Sequence, residues 1–128
     1  QEIKSVDADF PRLEIESLGY NVETNGQKGF NGVAILSKLR FDEVIRGLPG
    51  ETDDAQSRYI EGVFSVGSRA IRVASIYLPN GNPLGTEKFP YKVRWTITSS
   101  RSPRIVSARK PGKATRCSSR NRAKPTGA

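Results

Sequence analysis

The side chains able to do chemistry fall at a few places in this sequence. Glu2 stands near Lys4 at the chain start, and Lys28 and Asn31 flank a glycine turn. Arg58 and Glu61 open an apolar run, and Tyr77 is followed at once by Leu78-Pro79-Asn80-Gly81. There is no histidine and a single cysteine, Cys117, which excludes an internal disulfide and a Cys/His zinc cluster. Taken singly, Glu2 and Lys28 read as solvated charges, and Tyr77 as a half-buried residue closing a strand. Tyr77 gains weight from its position, because loops at strand ends carry function. Arg58 and Glu61 are expected to form a cross-strand or framework pair rather than to catalyse.

These residues need a scaffold, and the patterning supplies one of α/β (α+β) class. Asp9 to Gly19 has helix punctuation, with Asp9 as a cap, Pro11 in the first turn and Gly19 after the last. Phe10, Leu13 and Leu18 are expected to face a sheet. Residues 32–37 read as a buried strand, being too short for a globular helix. Residues 59–66 and 69–77 are the strongest strands, and Gly67-Ser68 between them suits a type II′ hairpin turn. A loop rich in proline, glycine and asparagine follows Tyr77. A short helix with Pro90 near its start is then expected to end at Trp95. About four strands in a sheet with two short helices leave edges and faces uncovered, which reads as a partial domain.

Charge divides the chain at the same place. The formal net charge is +8, but residues 1–95 carry −1 and residues 96–128 carry +9, with no acid after Glu87. The later part is rich in Ser, Arg, Lys and Pro and lacks aromatic residues, so it cannot bury enough apolar surface to offset its ordering entropy. We therefore expect a domain over 1–95 and a basic, disordered C-terminal tail over 96–128. Such a tail is either a solvated end or an arm that displaces counterions from nucleic-acid phosphates. No apolar run is long enough to span a membrane and no charged-then-apolar leader is seen. A cytoplasmic monomer without a membrane partner is expected.

Four stretches, in order, resemble the exonuclease III and apurinic/apyrimidinic endonuclease branch of the endonuclease/exonuclease/phosphatase family. Gln1-Glu2-Ile3-Lys4 is similar to the end of that family's LQE-x-K strand, and residues 28–37 to its K-x-[YF]-[SN]-G-V-A-I-L-S segment. Arg58-Tyr59-Ile60-Glu61 resembles R-x-I-E, and residues 76–81 resemble x-Y-x-P-N-G, with Lys92-Val93-Arg94-Trp95 following. The resemblance covers residues 1–95. It implies a four-layered αββα sandwich, here partial, that hydrolyses phosphodiesters at abasic sites and 3′ ends of double-stranded DNA with Mg²⁺ (or Mn²⁺). Position by position it makes Glu2 the metal ligand and Tyr77 the active-site tyrosine. Asn80, Lys28 and Asn31 become contacts to DNA phosphates. The cation would act on the phosphate as a Lewis acid while other groups orient water and stabilise developing charge.

The departures bear on activity. The family's G-D-F-N segment and its aspartate–histidine pair have no counterpart here, nor has the first strand with its asparagine, so the chain is expected to be an inactive fragment. Two other functions stay open, a different phosphoesterase of this fold and a non-catalytic basic peptide that binds nucleic acid. The change of composition at Trp95 suggests a frameshifted end, with a true fusion to a basic arm as the alternative. Translating the gene in the other two frames beyond the Trp95 codon should yield a charged helix and a Gly-Asp-Phe-Asn-like segment. Frames that encode neither would remove the frameshift reading.

Overall fold

The computed structural model describes residues 1–101. The expectations for residues 102–128, disorder and a basic arm, lie outside the described residues. Helix α1 spans Arg12–Ser17, followed by β1 (Asn21–Asn25), β2 (Val33–Ser37), β3 (Glu43–Arg46), β4 (Tyr59–Val66), β5 (Arg69–Ile76) and helix α2 (Lys88–Arg101). All strand pairs are antiparallel, β1 with β2 in one sheet and β3-β4-β5 in another. With α1 against β1 and α2 on the far face of the larger sheet, the elements follow the αββα layer order.

Strand β4 organises the packing because its two faces serve two cores. Ile60 and Phe64 point to the smaller sheet and pack with Val33 and Ile35, joined by Phe41, Val44 and Tyr77. Phe41 and Phe64 meet with ring centroids 4.8 Å apart at 44°, a tilted aromatic pairing. Tyr59 points the other way and packs with Leu48 and Trp95, with Ile76 and Tyr91 at the margin. Glu61 shares that face and is buried. The Tyr59 hydroxyl donates to its Oε2 at 2.6 Å, and Arg72 Nη1 on β5 donates to its Oε1 at 2.6 Å. Both carboxylate oxygens are satisfied, as a buried charge requires.

The β4–β5 hairpin forms as its sequence suggests. Register runs from Tyr59 opposite Ile76 to Val66 opposite Arg69, and Gly67 takes φ 61°, the left-handed first position of a II′ turn. Among the described residues nothing covers the hairpin beyond the smaller sheet, and it is exposed from Ser65 to Ala74. Leu36, Leu39, Phe64, Val66, Ile71 and Val73 line an open cleft of about 170 Å³ between the sheets, and β5 is an edge strand.

Several expectations fail here for local reasons. Leu13 and Leu18 are 79% and 70% exposed. A six-residue helix offers a single inward pair at i, i+3 spacing, and that pair is Arg12 and Ile15. Arg12 Nη1 donates to the Val22 carbonyl, which fixes the face. Asp9 does not cap α1; Pro11 holds the cap position, with no side-chain hydrogen bond. Arg58 and Glu61 do not pair with each other, since an odd spacing along a strand sends side chains to opposite faces. The helix expected to stop at Trp95 continues to Arg101. Its hydroxyls bond back to the preceding turn, Thr96 to the Lys92 carbonyl at 2.8 Å and Ser100 to the Ile97 carbonyl at 2.8 Å, so polar residues stay compatible with helix. Thr98 also donates to Glu51 at 2.9 Å.

Trp95 is 1% exposed, and Trp95→Ala is expected to cost about 3–5 kcal/mol. Leu13→Ala should stay within about 0.5 kcal/mol. Urea unfolding followed by circular dichroism measures both, and a large cost at Leu13 would contradict the observed face of α1.

Candidate active site

The sequence-distant stretches meet through hydrogen bonds to backbone carbonyls at one end of the two sheets. Gln1 Nε2 donates to the Ile76 carbonyl at 2.5 Å, next to Tyr77. Ile3 N donates to Gly32 O at 3.2 Å and Lys4 N to Asn31 O at 3.0 Å, which joins the chain start to the residues just before β2. Gly32 N donates to Ser57 O at 2.9 Å, and Tyr77 N to Arg58 O at 2.8 Å. Glu2 is thus held between two anchored neighbours, one on the Tyr77 strand and one on the Asn31 turn.

Among the described residues, Glu2, Lys4 and Asn31 are the non-glycine positions with left-handed φ, each at 55°. Such backbone costs on the order of 1–3 kcal/mol and persists where surrounding structure over-determines it. All three sit at this junction. The side chains differ in their freedom. Glu2 is exposed, with Lys4 Nζ 3.5 Å from its Oε1, and Lys28 is exposed in the turn. Asn31 is buried, its Nδ2 donating to Gln27 Oε1 at 3.0 Å and Gln56 Oε1 at 3.3 Å, so its amide braces the turn. Asn80 is exposed; its Oδ1 accepts from Asn82 Nδ2 at 3.2 Å and its carbonyl from Lys92 Nζ at 3.3 Å. Gly81 takes φ 76°, and a Cβ there would lie 2.6 Å from Lys92 Cδ, so glycine lets the loop lie beneath α2.

Tyr77 is half-buried and its hydroxyl has no hydrogen bond among the described residues. The Arg58 guanidinium lies 5.0 Å from the Tyr77 ring centroid and 5.9 Å from that of Tyr91, within reach of cation–π attraction to both. Asp54 fastens this cluster. It accepts from the Tyr91 hydroxyl at 3.0 Å to each oxygen, from Trp95 Nε1 at 3.1 Å and from Gln56 N at 3.0 Å. Sequence reasoning passed over Asp54, Gln56 and Tyr91. Their signal was the alternate spacing Asp54-x-Gln56-x-Arg58 directly before β4, and the i, i+4 pair Tyr91 and Trp95.

The donor set does not amount to a divalent-cation centre. Among the described residues no three acidic, cysteine or histidine side chains gather, and Glu2 is the carboxylate the resemblance assigns to the metal.

No family model matches the chain. Exodeoxyribonuclease III of Haemophilus influenzae is 40% identical over 96 residues, which span 74% of this chain and 36% of that protein. Among solved structures, the 3′ phosphatase NExo from Neisseria, bound to a product DNA hairpin, superposes with TM-score 0.69 at 36% identity. It covers 76% of this chain and 36% of its own. The chain is a homologue of exodeoxyribonuclease III. An AP endonuclease from Archaeoglobus fulgidus agrees, with TM-score 0.67 and 34% identity over 76% of this chain and 36% of that one. The chain therefore spans about a third of the length of the relatives it matches, and the fold class expected from the sequence is the one these relatives share.

Burial and the neighbouring Asp54 carboxylate push the Tyr91 phenol up to about 12, against a smaller opposing pull from Arg58. The folded state thus favours the neutral phenol. The stability this supplies is complete below pH 10 and is lost as pH rises toward 12. A tyrosinate absorbance titration should show Tyr91 ionising near 12, and Asp54→Asn should bring it down toward the ordinary value. An unchanged titration in Asp54→Asn would contradict the hydrogen bond.

Proposed function

We propose that this chain is the substrate-facing portion of a DNA-repair nuclease of the exodeoxyribonuclease III type. That activity is phosphodiester hydrolysis at abasic sites and 3′ ends of double-stranded DNA, with Mg²⁺ or Mn²⁺ as the cation. The observation that carries the reading is the junction where Gln1 bonds the Ile76 carbonyl and Ile3 bonds Gly32, because it brings Glu2, the Asn31 turn and the Tyr77 loop to one place. Tyr77 would offer its hydroxyl, unpartnered among the described residues, to a phosphate oxygen, with exposed Asn80 and Lys28 as outer phosphate contacts. Glu2 would contribute one carboxylate to the cation. Asn31 serves this site as a brace rather than as a contact.

The relatives favour this reading over a basic nucleic-acid-binding peptide, since they are nucleases and match about three-quarters of the chain. One of them is described as a 3′ phosphatase, so a 3′-phosphate end belongs with the substrates to be tested. A cytoplasmic, monomeric protein is proposed with it, and no helix among the described residues is long and apolar enough to cross a membrane.

The 128-residue chain is expected to show no Mg²⁺-dependent incision of abasic duplex DNA, because its donor set lacks further carboxylates and any histidine. Exchanging the matched 96 residues into the Haemophilus influenzae enzyme should preserve incision. In that chimera, Glu2→Gln and Tyr77→Phe should each lower kcat/KM by about 10²-fold or more. Full incision in both variants would sink the assignment of these residues, and robust incision by the 128-residue chain would overturn the account of its site.

A further inference from the structure

Arg58 has contacts that a framework residue does not need. Its Nη1 donates to the Tyr77 carbonyl at 3.2 Å and its own carbonyl accepts the Tyr77 N–H at 2.8 Å. Its guanidinium lies over the Tyr77 ring on one side and near the Tyr91 ring on the other. Backbone and ring of Tyr77 are therefore both referred to one side chain. Arg58 in turn is aimed by Gln56, whose Oε1 accepts from its Nε at 2.8 Å and also receives the Asn31 amide at 3.3 Å. Asp54 holds the Gln56 N–H and the Tyr91 hydroxyl at once.

We propose that Arg58 is a positioning residue that sets the place of Tyr77, and that Asp54 anchors it from the side of α2 through Gln56 and Tyr91. The proposal rests on Tyr77 being a site residue, and it adds a coupling: how α2 seats on the sheet decides where the Tyr77 ring lies. A planar guanidinium suits this task, because its fork can satisfy a side-chain carbonyl and a backbone carbonyl while its face stacks on aromatic rings. A lysine ammonium is a point charge and cannot hold all four contacts together. Asp54 makes no hydrogen bond to Tyr77, so its effect on Tyr77 travels through the groups it holds, Gln56, Tyr91 and Trp95, and through Arg58.

The test uses the full chain labelled with ¹³C on the tyrosine rings. Tyr20, Tyr59, Tyr77 and Tyr91 are its four tyrosines, and Tyr20, stacked on Lys38 at 3.8 Å, is the internal reference. Arg58→Lys and Asp54→Asn should both move the Tyr77 ring cross-peak and leave that of Tyr20 in place. Tyr91→Phe keeps the ring and removes only the hydroxyl, so it is the milder variant should Asp54→Asn fail to fold. It should move Tyr77 in the same direction. A Tyr77 cross-peak that stays put in folded Arg58→Lys, or in folded Asp54→Asn and Tyr91→Phe alike, overturns the proposal.

The chimera with the Haemophilus influenzae enzyme separates this proposal from the reading beneath it. There Arg58→Lys should lower kcat by about ten- to a hundredfold, the range expected of a small misplacement, with KM little changed. Loss in Tyr77→Phe with none in Arg58→Lys would remove the positioning role and keep the reading of Tyr77. No loss in Tyr77→Phe would remove that reading itself.

Discussion

The structure depends on β4 being covered on both faces. Alternation then dictates that Ile60 and Phe64 belong to one core and Tyr59 and Glu61 to another. The second assignment forces a carboxylate out of water, and Glu61 is tolerated there only because Tyr59 and Arg72 take its two oxygens. Removing one partner of such a group leaves a buried charge without compensation, typically worth about 3–5 kcal/mol. Arg72 is thereby fixed, and with it the register of β5, whose end carries Tyr77. A single constraint in the middle of the sheet thus reaches the loop at its margin.

A second carboxylate works just before the same strand begins. Asp54 gathers an indole, a phenol and a backbone N–H, groups from α2 and from the segment before β4. Neutral donors from two elements converge on one charge, an arrangement with stronger hydrogen bonds than neutral pairs provide. The left-handed backbone at Glu2 and Lys4 is compatible with this stiffness. Ile3 between them is pinned to Gly32, so the chain start has little choice of path.

How far the sequence revealed all this varies with the physics involved. The hairpin was legible because alternation, β-branched residues and a Gly-first turn agree. Strands β1 and β3 were not, because Asn21-Val-Glu-Thr-Asn buries only Val22 and Thr24 and β3 has four residues. The inward face of α1 was misjudged since so short a helix has no periodicity to read, and an arginine rather than a leucine turned in. Glu2, Tyr77 and the Asn31 turn were picked out by resemblance, and the fold does bring them together. Arg58 was singled out with a different partner in view. Its real contacts, Tyr77 and Tyr91, lie 19 and 33 positions away; the first extends the β4–β5 hairpin, and the second is created only when α2 docks.

The open edge of β5 has a consequence for behaviour in solution. Apart from Ile76, whose carbonyl takes Gln1, the outer edge of β5 pairs with no strand among the described residues, and beside a shallow apolar cleft it forms a template on which another strand can pair. Residues 1–95 bring almost no net charge to oppose this, at −1, while residues 96–128 bring +9. Copies of the chain therefore repel one another chiefly through the charge of residues 96–128. Colloidal stability is salt-sensitive as a result: raising ionic strength screens the repulsion and leaves the apolar edge attractive.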